Sequence, residues 1–186
     1  SEAVYLHPSG TKIIPASLSV EDLRRTNPDN LKNALRGLRG TTDIVLIDCA
    51  AGLGREAVLA LDACEEVLIV TNPELPAVTD ALKTIKLAEE LGKKILGIIV
   101  ARKRDNTDMS IRNIESLLEH KVISVIPEDQ AIREALLRKD PVVYTHPRSG
   151  SAIAYKKLAA DMLGYEFSET VEGKGFFARI FSKFGR

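Results

Sequence analysis

Four short apolar runs rich in valine and isoleucine constrain this chain most: 12–16 (KIIPA), 43–49 (DIVLIDC), 66–71 (EVLIVT) and 95–101 (ILGIIVA). A fifth, shorter run covers 122–126 (VISVI). They show little polar–apolar alternation, as expected of parallel strands covered on both faces. Between them lie helical patterns at 28–38, 54–63, 76–91, 110–119, 129–138 and 150–163. The first opens after Asn27 with Pro28 at its first helical position. The clearest, 76–91, sets Val78, Leu82, Ile85, Ala88 and Leu91 on one face and has Gly92 as its stop. Alternating strands and helices joined by short connections imply a doubly wound α/β domain, a mostly parallel sheet with helices on both faces. The 186 residues leave room for one such domain, placed at 1–164. Ligands bind such folds at the carboxyl ends of the strands, which directs attention to 48–54, 71–74, 101–104 and 126–129.

Composition narrows the function classes. Apolar residues make up 45% and charged residues 28%, the profile of a globular protein with a packed core. A formal net charge of zero argues against a general nucleic-acid binder. No apolar run reaches the roughly 18–20 residues of a membrane-crossing helix, and no signal peptide is visible. The two cysteines, Cys49 at an expected strand end and Cys64 at a helix end, suggest no disulfide framework. The resulting expectation is a cytoplasmic protein. His7, His120 and His146 lack metal-ligand spacing. Ser149-Gly150-Ser151 reads as a helix N-terminus rather than a nucleophile, and Arg102-Lys103-Arg104 as a solvated loop beside a phosphate site.

The zero net charge hides a split. Residues 173–186 carry Lys174, Arg179, Lys183 and Arg186 with no acid, leaving four more acids than bases in the remainder. Residues 165–173 form a polar, acidic linker, and the block after it holds four of the chain's five phenylalanines. On a helix, Phe176, Phe177, Ile180, Phe181 and Phe184 fall within roughly 140° of arc, with Arg179, Lys183 and Arg186 flanking it. That predicts an amphipathic helix over 174–186 lying on an anionic membrane, the cations reaching lipid phosphates. The alternative is a helix docked on its own domain.

DIVLIDCAAG (43–52) is an apolar run ending in Asp48 with a small-residue turn to Gly52. An acid at that place can hold Mg²⁺ through water beside a nucleotide phosphate, or it can cap the helix at 54–63. Three further segments follow in order: TNPE (71–74), IPEDQAIRE (126–134) and the phenylalanine-rich basic tail. As an ordered set covering essentially the whole chain, these resemble the MinD branch of the MinD/ParA (deviant Walker-A) P-loop ATPases.

The resemblance implies a P-loop NTPase-like fold with ATP and Mg²⁺ as cofactors. Asp48 would be the switch-II acid at the Mg²⁺ shell and Gly52 the switch glycine. Glu74 would lie at the dimer face near the ribose, and Asp80 at the dimer and regulator-binding surface. Pro127, Glu128 and Asp129 would line the adenine pocket, mostly through backbone, with Arg102 stacking near the base. Many relatives carry Asn before that arginine, and here it is Ala101, so base reading falls to backbone. The 186 residues contain no Gly-Lys-rich phosphate loop, and the chain starts at Ser1, so the expectation is a fragment downstream of that loop; a degenerate relative is the alternative. The implied function is an ATP-dependent dimeric switch on the inner face of the cell membrane, serving division-site or other spatial positioning with an activating protein partner. The competing function is a non-catalytic membrane adaptor.

Overall fold

A computed structural model describes residues 4–8, 10–15, 31–38, 40, 42–49, 52, 54–104 and 108–167. They fall into two compact units, one drawn from the first 46 residues and one from Ile47 onward. The tail 174–186 lies outside the described residues, so nothing here bears on its expected helix.

In the first unit, β1 (Tyr5–Leu6) and β2 (Lys12–Ile13) form an antiparallel pair, with Tyr5 opposite Ile13. Helix α1 covers Leu31–Arg36. The run at 12–16 is therefore not a strand of the parallel sheet; two of its residues pair locally across a turn in which Gly10 N–H bonds His7 O at 2.8 Å.

The second unit is ordered as α2 (Arg55–Ala63), β3 (Glu66–Thr71), α3 (Leu75–Glu90), β4 (Lys94–Lys103), α4 (Ile111–Leu118), β5 (Val122–Pro127), α5 (Gln130–Leu137), α6 (Val142–Thr145) and α7 (Gly150–Met162). Its strands form a parallel sheet in the order β3-β4-β5. Strand β4 has both faces covered. Ile98 and Val100, fully buried, point into a core with Ile85 of α3 and Ile114 and Leu118 of α4. Ile99, between them, faces the other way onto Leu158 of α7. Helices thus cover both faces, and the absence of alternation in these runs has its cause.

One expected strand is missing. Residues 44–49 pair with no strand among the described residues, and Ile44, Val45 and Leu46 are 54%, 45% and 78% exposed. A strand exists only beside a neighbour that takes its N–H and C=O groups. None lies alongside among the described residues, where 44–49 therefore form no strand despite their apolar pattern.

Helix boundaries follow their caps. Glu74 precedes α3 with proline in its first turn. Ser110 caps α4 by accepting from Asn113 N–H at 3.2 Å, and Ser149 caps α7 through Ala152 N–H at 3.3 Å. Gly97, at φ +151, sits where β3 and β4 shift register. A Cβ there would lie 2.5 Å from Ile123 Cγ2, so only glycine lets Ile123 cross over β4.

Ile85→Ala, at a site with no exposure, is expected to destabilise the fold by about 2–5 kcal/mol. Leu137→Ala, at a site 86% exposed, is expected to change it by less than about 0.5 kcal/mol. Urea unfolding followed by circular dichroism measures both; equal effects would refute the assigned core.

Candidate functional site

The three parallel strands end on one edge of the sheet, and backbone bonds tie those ends together. Met109 N–H donates to Pro73 O at 3.0 Å, joining the segment after β4 to that after β3. Glu128 N–H donates to Lys103 O at 3.0 Å, joining the end of β5 to that of β4. Thr71, buried at the last position of β3, donates its hydroxyl to Asn72 O.

A charged cluster sits on this scaffold. Arg102 adopts φ +57 within the register shift that closes β4, a left-handed conformation uncommon for a non-glycine residue. Its Nε donates to Glu128 Oε2 at 2.9 Å, and Arg133 of α5 approaches Glu128 Oε1 at 3.5 Å. The hydrogen bond from Arg102 is the main cause that holds the Glu128 carboxyl below its usual range. Arg104 lies 3.7 Å from Glu74 and 3.5 Å from Asp108. The Asp108 side chain is 2% exposed; it accepts the Arg104 N–H and lies 3.8 Å from Lys103 Nζ. The basic triplet is therefore engaged with acidic partners, while the Arg102 and Arg104 side chains stay 62% and 57% exposed to solvent.

Asp129 ends this edge as a junction between two helices. Its Oδ1 accepts from Ala131 N–H at 2.9 Å and caps α5. Its Oδ2 accepts from Ser151 N–H at 3.0 Å and Ser151 hydroxyl at 2.8 Å, in the first turn of α7. The Ser151 backbone bond is the largest cause that lowers its pKa to about 2. This carboxylate is committed to positioning helices, leaving the backbone of 127–129 as the part that can meet a ligand.

The structure gathers Glu74, Arg102, Pro127, Glu128 and Asp129 at the strand ends, Pro127 being in register with Lys103. Asp48 and Gly52 join that group through no hydrogen bond or ion pair among the described residues. Asp48 is exposed, and Gly52 sits at φ +106 with open space around it. Asp48 does not cap the following helix either: Gly54 is the N-cap of α2, with no side-chain bond. Asp80 lies on the exposed face of α3, paired with Lys83 at 2.9 Å. Phe176, Phe177, Arg179, Ile180, Phe181, Lys183 and Phe184 fall outside the described residues. Sequence reading gave no role to Asp108 or Arg133, took Arg104 as part of a loop beside a phosphate site, and took Ser151 only as part of a helix N-terminus. Asp108, four residues beyond Arg104, and Ser151, in a helix's first turn, were available as local signals; the approach of Arg133 to Glu128 required the fold.

A parallel sheet between helices, with polar groups collected beyond the carboxyl ends of its strands, defines a doubly wound α/β protein. The family model described as 4Fe-4S iron sulfur cluster binding proteins, NifH/frxC family, matches residues 38–174. An uncharacterized ATP-binding protein of Methanocaldococcus jannaschii is 36% identical over 93% of this chain and 66% of its own length. The septum site-determining protein MinD of Bacillus subtilis is 30% identical over 93% of this chain and 67% of its own. The cell division ATPase MinD of Pyrococcus furiosus superposes with a TM-score of 0.82 at 34% identity, covering 88% of this chain and 70% of that one. Its counterpart from Pyrococcus horikoshii, solved with Mg-ADP, superposes at 0.81 with 34% identity, covering 87% and 67%. The chain belongs to this family, in its MinD branch. It spans 66% and 62% of the length of two curated Methanocaldococcus jannaschii relatives.

The two cysteines of this chain are not by themselves a complete ligand set for the cluster named by the family description. A 4Fe-4S cluster takes thiolates, and this chain has two cysteines. Burial raises both thiols, and Cys64 donates back to Leu61 O within its own helix.

Asp129→Ala is expected to cost about 2–3 kcal/mol, since one carboxylate serves two helix starts. The folded-state pKa of about 2 lies below the usual 3.8. Its contribution is therefore complete above the unfolded value and is lost as pH falls through about 2. Unfolding at pH 7 and at pH 2 should show the variant's deficit shrinking in acid; a pH-independent deficit would refute the charged-cap role.

Proposed function

We propose that this chain forms the downstream part of a MinD-type ATPase, an ATP-dependent dimeric switch that holds an anionic membrane through its tail and serves division-site or other spatial positioning. One observation carries the reading: the TNPE and IPED segments lie at the carboxyl ends of β3 and β5, each tied by a backbone bond to the end of β4 or the segment after it, in a chain that superposes on a MinD solved with Mg-ADP.

Bound Mg²⁺ and ATP would supply a phosphoryl group and neutralise charge on it. The chain's own residues would do the rest. Asp48, exposed, offers a carboxylate to the water shell of the ion, and Gly52, at a positive φ, supplies the switch glycine. The backbone of Pro127, Glu128 and Asp129 meets the base, with Asp129 holding that turn rigid. Arg102, fixed by Glu128, offers its guanidinium face for stacking. Glu74, whose carboxylate makes no cap bond, faces the ribose and the second subunit, and Asp80 the regulator.

The tail acts by number. A single short amphipathic helix binds weakly, and dimerisation on ATP doubles the anchors, so membrane residence follows the nucleotide state. No helix among the described residues is long and apolar enough to cross a membrane.

In the whole protein, Asp48→Ala should lower ATP turnover by about 10²–10³-fold while the melting temperature stays close to that of the parent. A phosphate-release assay reads this; near-parental turnover would remove Asp48 from the site and favour the adaptor reading. Phe177→Glu with Phe181→Glu should abolish sedimentation with anionic liposomes and leave the domain folded. Unfolding of the domain by that pair would instead identify the tail as core.

A further inference from the structure

The Asp108 side chain is 2% exposed, and the nucleotide chemistry proposed above gives it no task. A charge so buried persists only with partners. Asp108 finds them in the segment that closes β4. Its Oδ2 accepts the Arg104 N–H and lies 3.8 Å from Lys103 Nζ, while Oδ1 lies 3.5 Å from Arg104 Nη2. The loop does not depend on this carboxylate alone. Met109 N–H donates to Pro73 O at 3.0 Å, the Met109 side chain packs against the core, and Ser110 caps α4. With those other anchors in place, what the charge of Asp108 adds is its hold on Arg104.

Arg104 is shared between two acids. The same Nη2 stands 3.7 Å from Glu74 Oε1, and the Glu74 side chain is 59% exposed. The buried acid pulls harder, because water screens it less. Glu128 does not compete for this arginine, since Arg102 at 2.9 Å and Arg133 at 3.5 Å already hold it. Without the charge of Asp108, Glu74 is the acid left to Arg104, and the guanidinium closes over its carboxylate. A carboxylate held in that way has fewer lone pairs and less freedom to accept from ribose hydroxyls.

We infer that Asp108 is a positioning residue for nucleotide binding: by holding Arg104 back, it leaves the Glu74 carboxylate open to the ribose. The inference rests on the reading of Glu74 as ribose-facing. Arg104 is the lever through which Asp108 acts, and neither residue touches the nucleotide.

The test is titration calorimetry of the whole protein with Mg-AMPPNP, a non-hydrolysable ATP analogue, and with its 2′,3′-dideoxy form, which lacks the ribose hydroxyls. Asp108→Asn keeps the shape and an oxygen for the Arg104 N–H but removes the charge. It should raise the dissociation constant for Mg-AMPPNP about tenfold, the worth of one hydrogen bond to a charged group. The dideoxy form should bind this variant as it binds the parent. At saturating ATP the turnover of Asp108→Asn should match the parent, so that the change falls on KM. Arg104→Met should bind both analogues at least as tightly as the parent. Added to Arg104→Met, Asp108→Asn should have no further effect, because the arginine it restrains is gone.

Three results would overturn the inference. They are equal weakening for both analogues, an Asp108→Asn effect that persists beside Arg104→Met, and binding about tenfold weaker in Arg104→Met alone, which would make the arginine itself a ligand. Should Asp108→Asn fail to fold, the last measurement still decides. Glu74→Gln separates the two possible failures. If it weakens Mg-AMPPNP binding while Asp108→Asn does not, this inference fails and the placing of Glu74 stands. If Glu74→Gln binds as the parent does, the placing of Glu74 fails and the inference with it.

Discussion

The middle of strand β4, from Gly97 to Val100, is buried on both faces, and the second unit is arranged around that constraint. Ile98 and Val100 have no exposure, and Ile99 has 6%. Burial of such side chains is worth about 1.5–3 kcal/mol each, and it is realised only with helices on both sides. Helices α3 and α4 close one face and α7 the other. Parallel strands on each side of β4 then satisfy its backbone, and parallel pairing sends all three carboxyl ends to one edge. The location of the site is thus a consequence of how β4 is covered.

That edge is held by charge as well as backbone. Arg102 tolerates φ +57 at the end of β4 while Glu128 holds its guanidinium. The side chains in the Arg102–Glu128 pair are 62% and 26% exposed, so the pair contributes orientation more than stability. Asp129 differs because its partners are backbone N–H groups and a fully buried serine. It fixes the turn over which a base would lie, with the starts of α5 and α7 in one grip. Rigid helix placement and an adjustable charged rim are different tasks, and consecutive residues divide them.

The sequence conveyed the parallel sheet because β3, β4 and β5 each find a neighbour inside the described residues. Their unalternating valine and isoleucine runs mean what such runs usually mean. The same pattern at 43–49 misled, since apolar character records a tendency to be buried and says nothing of the hydrogen-bonding partner. The run at 12–16 misled similarly, with a local turn capturing two of its residues. At the site, motif order placed Glu74, Arg102 and Glu128 correctly at strand ends, because loop positions follow directly from strand positions. The ion pair between Arg102 and Glu128, 26 residues apart, and the shared cap at Asp129 and Ser151, 22 apart, depend on β5 lying beside β4 with α7 against it. No short-range pattern encodes that adjacency.

On the membrane reading proposed above, electrostatics sets a condition on the linker. The chain outside 173–186 holds four more acids than bases, so an anionic surface repels the domain while attracting the tail. Screening limits that repulsion to about 8 Å at physiological ionic strength. The nine residues 165–173 can span roughly 30 Å at full extension, several screening lengths. On that reading a linker of that reach would let a basic helix lie on lipid with the acidic domain beyond the range of repulsion. Its own acids, Glu166, Glu169 and Glu172, disfavour binding of the linker itself and bias it away from the surface. The separation of charge along the chain, invisible in a net charge of zero, is then what allows one protein to be both repelled and held.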